Sequence, residues 1–265
     1  MHPLVTIATN AARAAGNFIM RNLDRVDQLQ IERKGRNDFV TGVDRGAESE
    51  IIKIIRKAYP QHAVLAEEGG ASGDSEVVWI VDPLDGTTNF LHGLPHFAVS
   101  IGIQVRGRLE HGVIYAPCTQ DLYCASRGSG ATLNNRKLRV TTTNNLDSAL
   151  IGTGVPIDTG LLDAYMPMLR MVAERTAGVR RAGSAALDLA YVAAGRLDGF
   201  WELGLKPWDI AAGLVLVQEA GGLSSEIYGA ADALTTGNVL AAGPKLHPLL
   251  SEMLQSVARN EKPAG

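Results

Sequence analysis

The run Val77-Val-Trp-Ile-Val81-Asp82-Pro-Leu-Asp85-Gly-Thr-Thr88 decides how the rest of the chain is read, because an apolar strand pattern stops in it against two carboxylates and two hydroxyls. Val77 to Val81 form a short buried-strand run, Pro83 has no N–H with which to continue a ladder, and Asp85-Gly86 marks a tight turn. The pattern predicts that the strand stops at Val81 and that its carboxyl end becomes a reactive edge. Asp82 and Asp85 stand three apart across the turn, so both side chains and the Leu84 carbonyl can converge on one hard cation. Oxygen-only donors favour magnesium over zinc. Gly86 lets a phosphate approach the main chain, and the N–H groups of Gly86 and Thr87 point at it if a helix begins there. Taken alone, the Asp-Gly pair is equally an ordinary solvated turn; the whole string is more specific.

Working outward, 265 residues suit one large domain or two modest ones, and 46% hydrophobic content is ample for a packed core. A net charge of -3 gives no basic footprint for unspecific nucleic-acid binding. Cys118 and Cys124 have neither zinc-site spacing nor the density of a disulfide scaffold, so both are expected to be reduced and structural. The amino terminus shows no charged region followed by an apolar signal core, and no apolar run approaches the ~20 residues that span a bilayer. A cytoplasmic protein with no membrane partner is the expectation.

Leu4, Ile7, Ala8, Ala11, Ala15, Phe18 and Ile19 recur at helical spacing. After the polar stretch Lys34 to Asp38, a second helix carries Ile51, Ile52, Ile54 and Ile55, with Asp44 as its cap. Ala63 to Ala66 reads as a short strand ending in Glu67-Glu68, which is either a surface acidic pair or, if this strand neighbours the Trp79 strand, the source of a further ligand. Val99 to Val105, Leu109 to Tyr115, Leu122 to Ala125 and Ala131 to Leu133 predict an antiparallel meander. His92, His96 and His111 lack mutual metal-ligand spacing and receive no catalytic role. Thr141 to Asn145 is the best boundary, dividing the chain into residues 1–143 and 144–265. Beyond it strands and helices alternate, implying an α/β half. Ser184 caps a helix over Ala185 to Ala194 that Gly195 ends, and Pro207 opens another over Ile210, Leu214 and Val217, with Asp209 in its first turn. By position alone Ser184 is a plain cap and Asp209 serves the helix dipole, while Arg180 and Arg181 either pair with phosphate or, as the favoured reading, form a solvated or interface face.

Asp82-Pro-Leu-Asp-Gly-Thr-Thr-Asn89, preceded by Glu67-Glu68 and followed by Trp208-Asp209-Ile-Ala-Ala, resembles the inositol monophosphatase family of magnesium-dependent sugar phosphatases. Ala186 to Gly195 and Trp201 to Asp209 resemble its bacterial housekeeping branch, and the resemblance covers nearly the whole chain. It implies an α and β, two-domain fold of alternating α-β-α-β-α layers, with an α+β amino-terminal half carrying the metal and phosphate motif and an α/β half carrying substrate contacts. It implies a phosphomonoesterase for myo-inositol monophosphate or a related small sugar or polyol phosphate, using two or three Mg2+, a metal-activated water and no covalent intermediate. The residues so assigned are Glu67, Asp82 and Thr87 as catalytic, and Glu67, Asp82, Leu84, Asp85 and Asp209 as metal ligands. Asp85, Gly86, Thr87, Gly183, Ser184, Ala185, Glu202 and Asp209 are assigned to the substrate, Glu202 accepting from a substrate hydroxyl. Asp44 is placed near the metals, binding through water, and Lys34 on a loop near the site.

Lithium sensitivity and a homodimer are further implications; Arg180, Arg181 or the helix from Ala186 to Tyr191 is either the surface of a second binding role or, instead, a homodimer seam. Fructose 1,6-bisphosphate and nucleotide 3′-phosphates stay open as substrates, since the motif reads phosphate and metal rather than the alcohol; Glu202 leans towards inositol phosphates. The bacterial branch is associated with transcription and ribosome assembly, which leaves an accessory binding module open as a different class of role. One departure is Ser224-Ser225-Glu226-Ile-Tyr-Gly229, where many relatives carry an aspartate followed by glycine.

Overall fold

The computed structural model describes residues 2–23, 31–35, 38–229 and 232–260; the side chains of 31–40 and 258–260 lie outside the described residues, and the expectation for Lys34 falls among them. Helical periodicity at the amino terminus makes α1 (Pro3–Leu23), whose Ala8, Ala11, Ala12, Ala15 and Ile19 are fully buried. β1 (Ile31–Gly35) and β2 (Asp38–Thr41) pair antiparallel and lead into α2 (Gly42–Ala58). The cap of α2 is Thr41 rather than Asp44. Thr41 accepts from the Val43 N–H, and Asp44 reaches back as the third helical residue to accept the Thr41 N–H, a reciprocal capping box.

Next come β3 (Ala63–Ala66), β4 (Gly70–Ser72), β5 (Val77–Asp85), the single-turn α3 (Thr87–Leu91), β6 (Ala98–Val105), β7 (Arg108–Ala116), β8 (Asp121–Ser126), β9 (Gly130–Leu133) and β10 (Arg136–Lys137). They form an eight-stranded sheet in the order β10-β9-β8-β7-β6-β5-β3-β4, with the expected meander from β6 to β9. Contrary to expectation, β5 does not stop at Val81. Asp82 pairs with Ser100 and Asp85 with Ala98, so three steps on β5 match two on β6, and the bulge carries the strand past Pro83. In a regular strand residues three apart face opposite sides. The extra residue restores Asp82 and Asp85 to the same side, where both line one cavity.

The second sheet takes β11 (Leu150–Thr153), β12 (Gly178–Arg180), β13 (Gly199–Glu202), β14 (Leu223–Glu226) and β15 (Val239–Ala242) in the order β12-β11-β13-β15-β14. It is mixed: β11 runs parallel to β12 and β13, while β15 is antiparallel to β13 and β14. Between these strands lie α4 (Leu162–Arg175), α5 (Ala185–Ala193), α6 (Pro207–Glu219) and a short α7 (Ala233–Thr236) that periodicity did not predict; α8 (His247–Asn260) closes the chain.

The layers follow from which faces are apolar. α1 and α2 cover one face of the large sheet around Trp79, Val81, Ile101 and Tyr115. α5 and α6 fill the space between the two sheets with an alanine-rich core, and α4 and α8 cover the far face of the small sheet around Tyr165 and Trp201. The result is five layers, helix-sheet-helix-sheet-helix. α6 is set down at backbone distance: Gly102 and Gly112 face each other across β6 and β7, and a Cβ added to Gly102 would stand 2.6 Å from Ala211 Cβ. α5 is buried on nearly all sides, with Ala186 to Ala190 inside the core, so it offers no dimer seam.

Candidate active site

Each site element owes its position to the sheets. β3 runs parallel to β5 with Ala66 opposite Val81, and the Glu67 N–H donates to the Val81 carbonyl at 3.1 Å, which sets Glu67 beside Asp82. Asp82 is 2% exposed and its Oδ1 accepts the Leu84 N–H at 2.9 Å. Asp85 Oδ2 accepts from the Ser184 hydroxyl at 2.6 Å and the Ala186 N–H at 2.7 Å, so a carboxylate of the large sheet helps cap α5. Asp209 Oδ2 accepts the Lys206 N–H at 2.7 Å at the start of α6. Each of the three aspartates thus spends one oxygen on the protein.

Gly86 has φ +97°, and a Cβ there would meet the carbonyls of His96 at 3.0 Å and Gly183 at 3.3 Å, so a side chain is excluded by both strain and space. Thr87 Oγ1 lies 2.9 Å from Asp44 Oδ1 and 3.0 Å from the Leu84 carbonyl, so its one proton is committed and its lone pairs are left over. Asp44 is itself fixed by the Thr41 N–H and hydroxyl at 2.8 and 2.6 Å. The Asn89 amide ties α3 to the His96 and Ala182 carbonyls at 2.7 and 2.9 Å, joining the motif to the Gly183 turn.

All of the expected site residues line one cavity of about 390 Å3: Glu67, Asp82, Leu84, Asp85, Gly86, Thr87, Gly183, Ser184, Ala185, Glu202 and Asp209. Asp44 stands behind Thr87. Lining groups outside the assigned set include Asn89, Asp188 and the apolar lip of Val155, Pro156 and Ile157. Arg181 is a wall residue, which overturns the favoured solvated reading and fits the phosphate-pairing alternative, while Arg180 is exposed. The signal for Asp188 was available, since it is the single charge in an otherwise apolar helix from Ala185 to Ala193. Glu226, in the departure noted above, lies away from the cavity and builds a turn, accepting the Tyr228 and Gly229 N–H groups at 2.6 and 2.8 Å. Cys118 and Cys124 are free thiols.

Burial first, then mutual repulsion, drives the carboxyl groups towards protonation. Asp82 is raised well above the usual range by burial, then by Glu67, Asp85 and Asp209. Asp209 and Glu202 are raised in the same way, and burial pushes Asp85 up to about 6 against the Ser184 hydroxyl and the Ala186 N–H, which hold it down. Arg181 is the basic side chain on the wall among the described residues. Such a concentration of oxygen donors calls for positive charge, and its chemistry suits a hard divalent cation such as magnesium. Among the described residues no three acidic, histidine or cysteine side chains already stand in a ready metal cage, so the fit is one of donor type and charge. Glu67, Asp82, the Leu84 carbonyl, Asp85 and Asp209 are the groups that would hold the ions.

The family model described as the inositol monophosphatase family matches residues 1–259. The "Nus factor SuhB" of Pseudomonas aeruginosa is 51% identical over 96% of this chain and 97% of its own length. The structure of the extragenic suppressor protein suhB of Bartonella henselae matches with a TM-score of 0.93 at 43% identity, covering 96% of this chain and 99% of that one. The inositol monophosphate-bound structure of SaIMPase-II, from Staphylococcus aureus, matches at 0.81 and 29% identity over 97% and 96% of the two chains. With the acidic strand ends, the Gly86 turn and the five layers in place along the matched length, this chain belongs to the inositol monophosphatase family.

Proposed function

We propose that this chain is a magnesium-dependent phosphomonoesterase that hydrolyses myo-inositol monophosphate or a closely similar polyol phosphate. The observation that carries this reading is the convergence of Glu67, Asp82 and Asp85 from the large sheet and Asp209 from the start of α6 on one cavity beside the Gly86 turn. Two or three Mg2+, when bound, supply the charge that polarises the phosphate, acidifies a water and steadies the leaving alkoxide. The rest falls to the protein. The Gly86 and Thr87 main chain leaves room for the phosphate oxygens. Thr87, its proton held by Asp44 or the Leu84 carbonyl, can only accept from a water, which turns that water's lone pair towards phosphorus. Glu67 takes the water's proton, and the alkoxide recovers one from solvent. Glu202 accepts from a hydroxyl of the alcohol.

Residues 1–143 supply the phosphate side of the site and 144–265 the alcohol side in this reading. The test is magnesium-dependent phosphate release from inositol 1-phosphate, fructose 1,6-bisphosphate and adenosine 3′,5′-bisphosphate by the parent and by Asp209→Asn. The variant keeps its amino-terminal geometry, so it should fold normally and lose at least a hundredfold in kcat. Near-parental kcat across magnesium concentrations would remove Asp209 from the site. A second role, as a binding partner of the transcription machinery, is favoured by the Nus factor names of the curated relatives. Asp209→Asn should retain that binding. We further expect a cytoplasmic homodimer; separately, no described helix is long and apolar enough to cross a membrane.

A further inference from the structure

The acids on the cavity wall fall into two kinds. Asp82, Asp85 and Asp209 are each anchored to a backbone N–H. Asp188 and Glu202 are not: they are 2% and 9% exposed, both line the cavity, and neither carboxylate accepts a hydrogen bond from any described residue. A buried polar group without a partner is costly to keep, and such groups are ordinarily satisfied by a ligand or an ordered molecule. The end of β11 keeps the space at Glu202 bare, since a Cβ at Gly154 would collide with the Glu202 carboxylate. Gly152 lies beside Asp188, where a Cβ would make ordinary contact with Asp188 Cγ at 3.5 Å. Arg181 shares the wall and acts electrostatically on both acids.

We propose that Asp188 is a second reader of substrate hydroxyls beside Glu202, so that the site selects phosphate esters of polyols with at least two free hydroxyls on the face opposite the phosphate. This rests on the phosphomonoesterase reading above. The pattern offered by Asp188, Arg181 and Glu202 is two acceptors and a donor. Hydroxyls match it because each donates to a carboxylate and accepts from a guanidinium. An alkyl or aryl substituent leaves all three unpaired, which is how a polar pocket rejects an analogue that lacks the group it was built to bind. Ser184, one turn before Asp188 on α5, is occupied by Asp85, so the helix uses its cap for the phosphate side and its next turn for the alcohol.

The test compares Asp188→Ala and Asp188→Asn with the parent on myo-inositol 1-phosphate, its single-deoxy analogues and phenyl phosphate, all at saturating magnesium. The ratio of kcat/KM for inositol 1-phosphate to that for phenyl phosphate should fall at least tenfold in Asp188→Ala, chiefly through KM, and less in Asp188→Asn, whose amide oxygen still accepts. For the parent, one particular deoxy analogue should be at least tenfold poorer, and Asp188→Ala should be indifferent to that same deletion. An unchanged ratio, or sensitivity to every deletion kept intact, overturns the proposal. So does a change confined to the magnesium concentration for half-maximal rate, which would make Asp188 a cation ligand. The parent and its deoxy series keep the test valid if Asp188→Ala misfolds. If the parent releases phosphate from no ester, the phosphatase reading falls. Calorimetric binding of myo-inositol 1-phosphate then decides the hydroxyl reading, with equal affinity in parent and Asp188→Asn overturning it.

Discussion

Gly102→Ala tests whether the site depends on how closely α6 lies on the large sheet. The added methyl would stand 2.6 Å from Ala211 Cβ and 3.1 Å from the Ala211 carbonyl carbon and Ala212 nitrogen. Ordinary contact begins near 3.4 Å, so α6 must lift by about 0.8 Å. Overpacking of this size costs about 1–3 kcal/mol, and at ~2–4 °C per kcal/mol for a chain of this size the melting temperature should drop visibly. The same lift carries Asp209, at the start of α6, away from Asp82 and Asp85, and a displacement near 1 Å can cost ~100-fold in rate. The assay is melting temperature and magnesium-dependent phosphate release on the same preparations. Ala211→Gly removes the nearest atom, so the double variant should recover part of both losses, although glycine in a helix costs about 1 kcal/mol by itself. Gly112→Ala offers the contrast, because the atoms it meets are backbone of Ala212, and Ala212→Gly should rescue nothing. A Gly102→Ala protein that melts within a degree of the parent and keeps its kcat would refute the reasoning.

Three further outcomes are expected. In the metal-free protein, Asp85 is held at about 6 in the fold against ~3.9 unfolded, so the folded state binds the proton more tightly; stability is fully present below pH ~4 and lost as pH rises through about 6, and magnesium should flatten that decline in a pH series of melting curves. Ser184→Ala removes both the α5 cap and a hydrogen bond to Asp85, and should cost about 1–2 kcal/mol in denaturant unfolding while lowering turnover. Lithium should inhibit at limiting magnesium, because a small monovalent ion can take a carboxylate site without supplying its charge; undiminished phosphate release in excess lithium would contradict this.

Much of this could be read from residues one at a time, and what could not is informative. Ala63 to Ala66 and the meander were legible because their period of two and their turn residues act locally. The continuation of β5 past Pro83 was not, since the bulge exists only in register with β6. Thr41 displaced Asp44 as the cap of α2 because Thr-x-x-Asp makes a reciprocal box. The burial of α5 was legible in principle: apart from Asp188, Ala185 to Ala193 is apolar around the helix, the mark of a helix enclosed between layers rather than of a seam. Arg181 reaches the cavity through the tertiary fold with no flanking motif to announce it, whereas Asp188 stood out as the single charge of α5.

The link between Asp85 and Ser184 spans 99 residues of chain. At a synthesis rate of ~5–20 residues per second, Asp85 therefore leaves the ribosome about 5–20 s before Ser184 exists. Until α5 and α6 are made, Glu67, Asp82 and Asp85 crowd the neighbouring ends of β3 and β5 with Asp85 lacking its Ser184 and Ala186 donors, and the sheet face at Gly102 and Gly112 has no α6 to cover it. The nascent amino-terminal half is thus a charged and partly bare intermediate, for which the magnesium proposed above as cofactor would also be an early folding ligand. Truncation anywhere before α6 then leaves not a weakened enzyme but a substrate for chaperones and proteases.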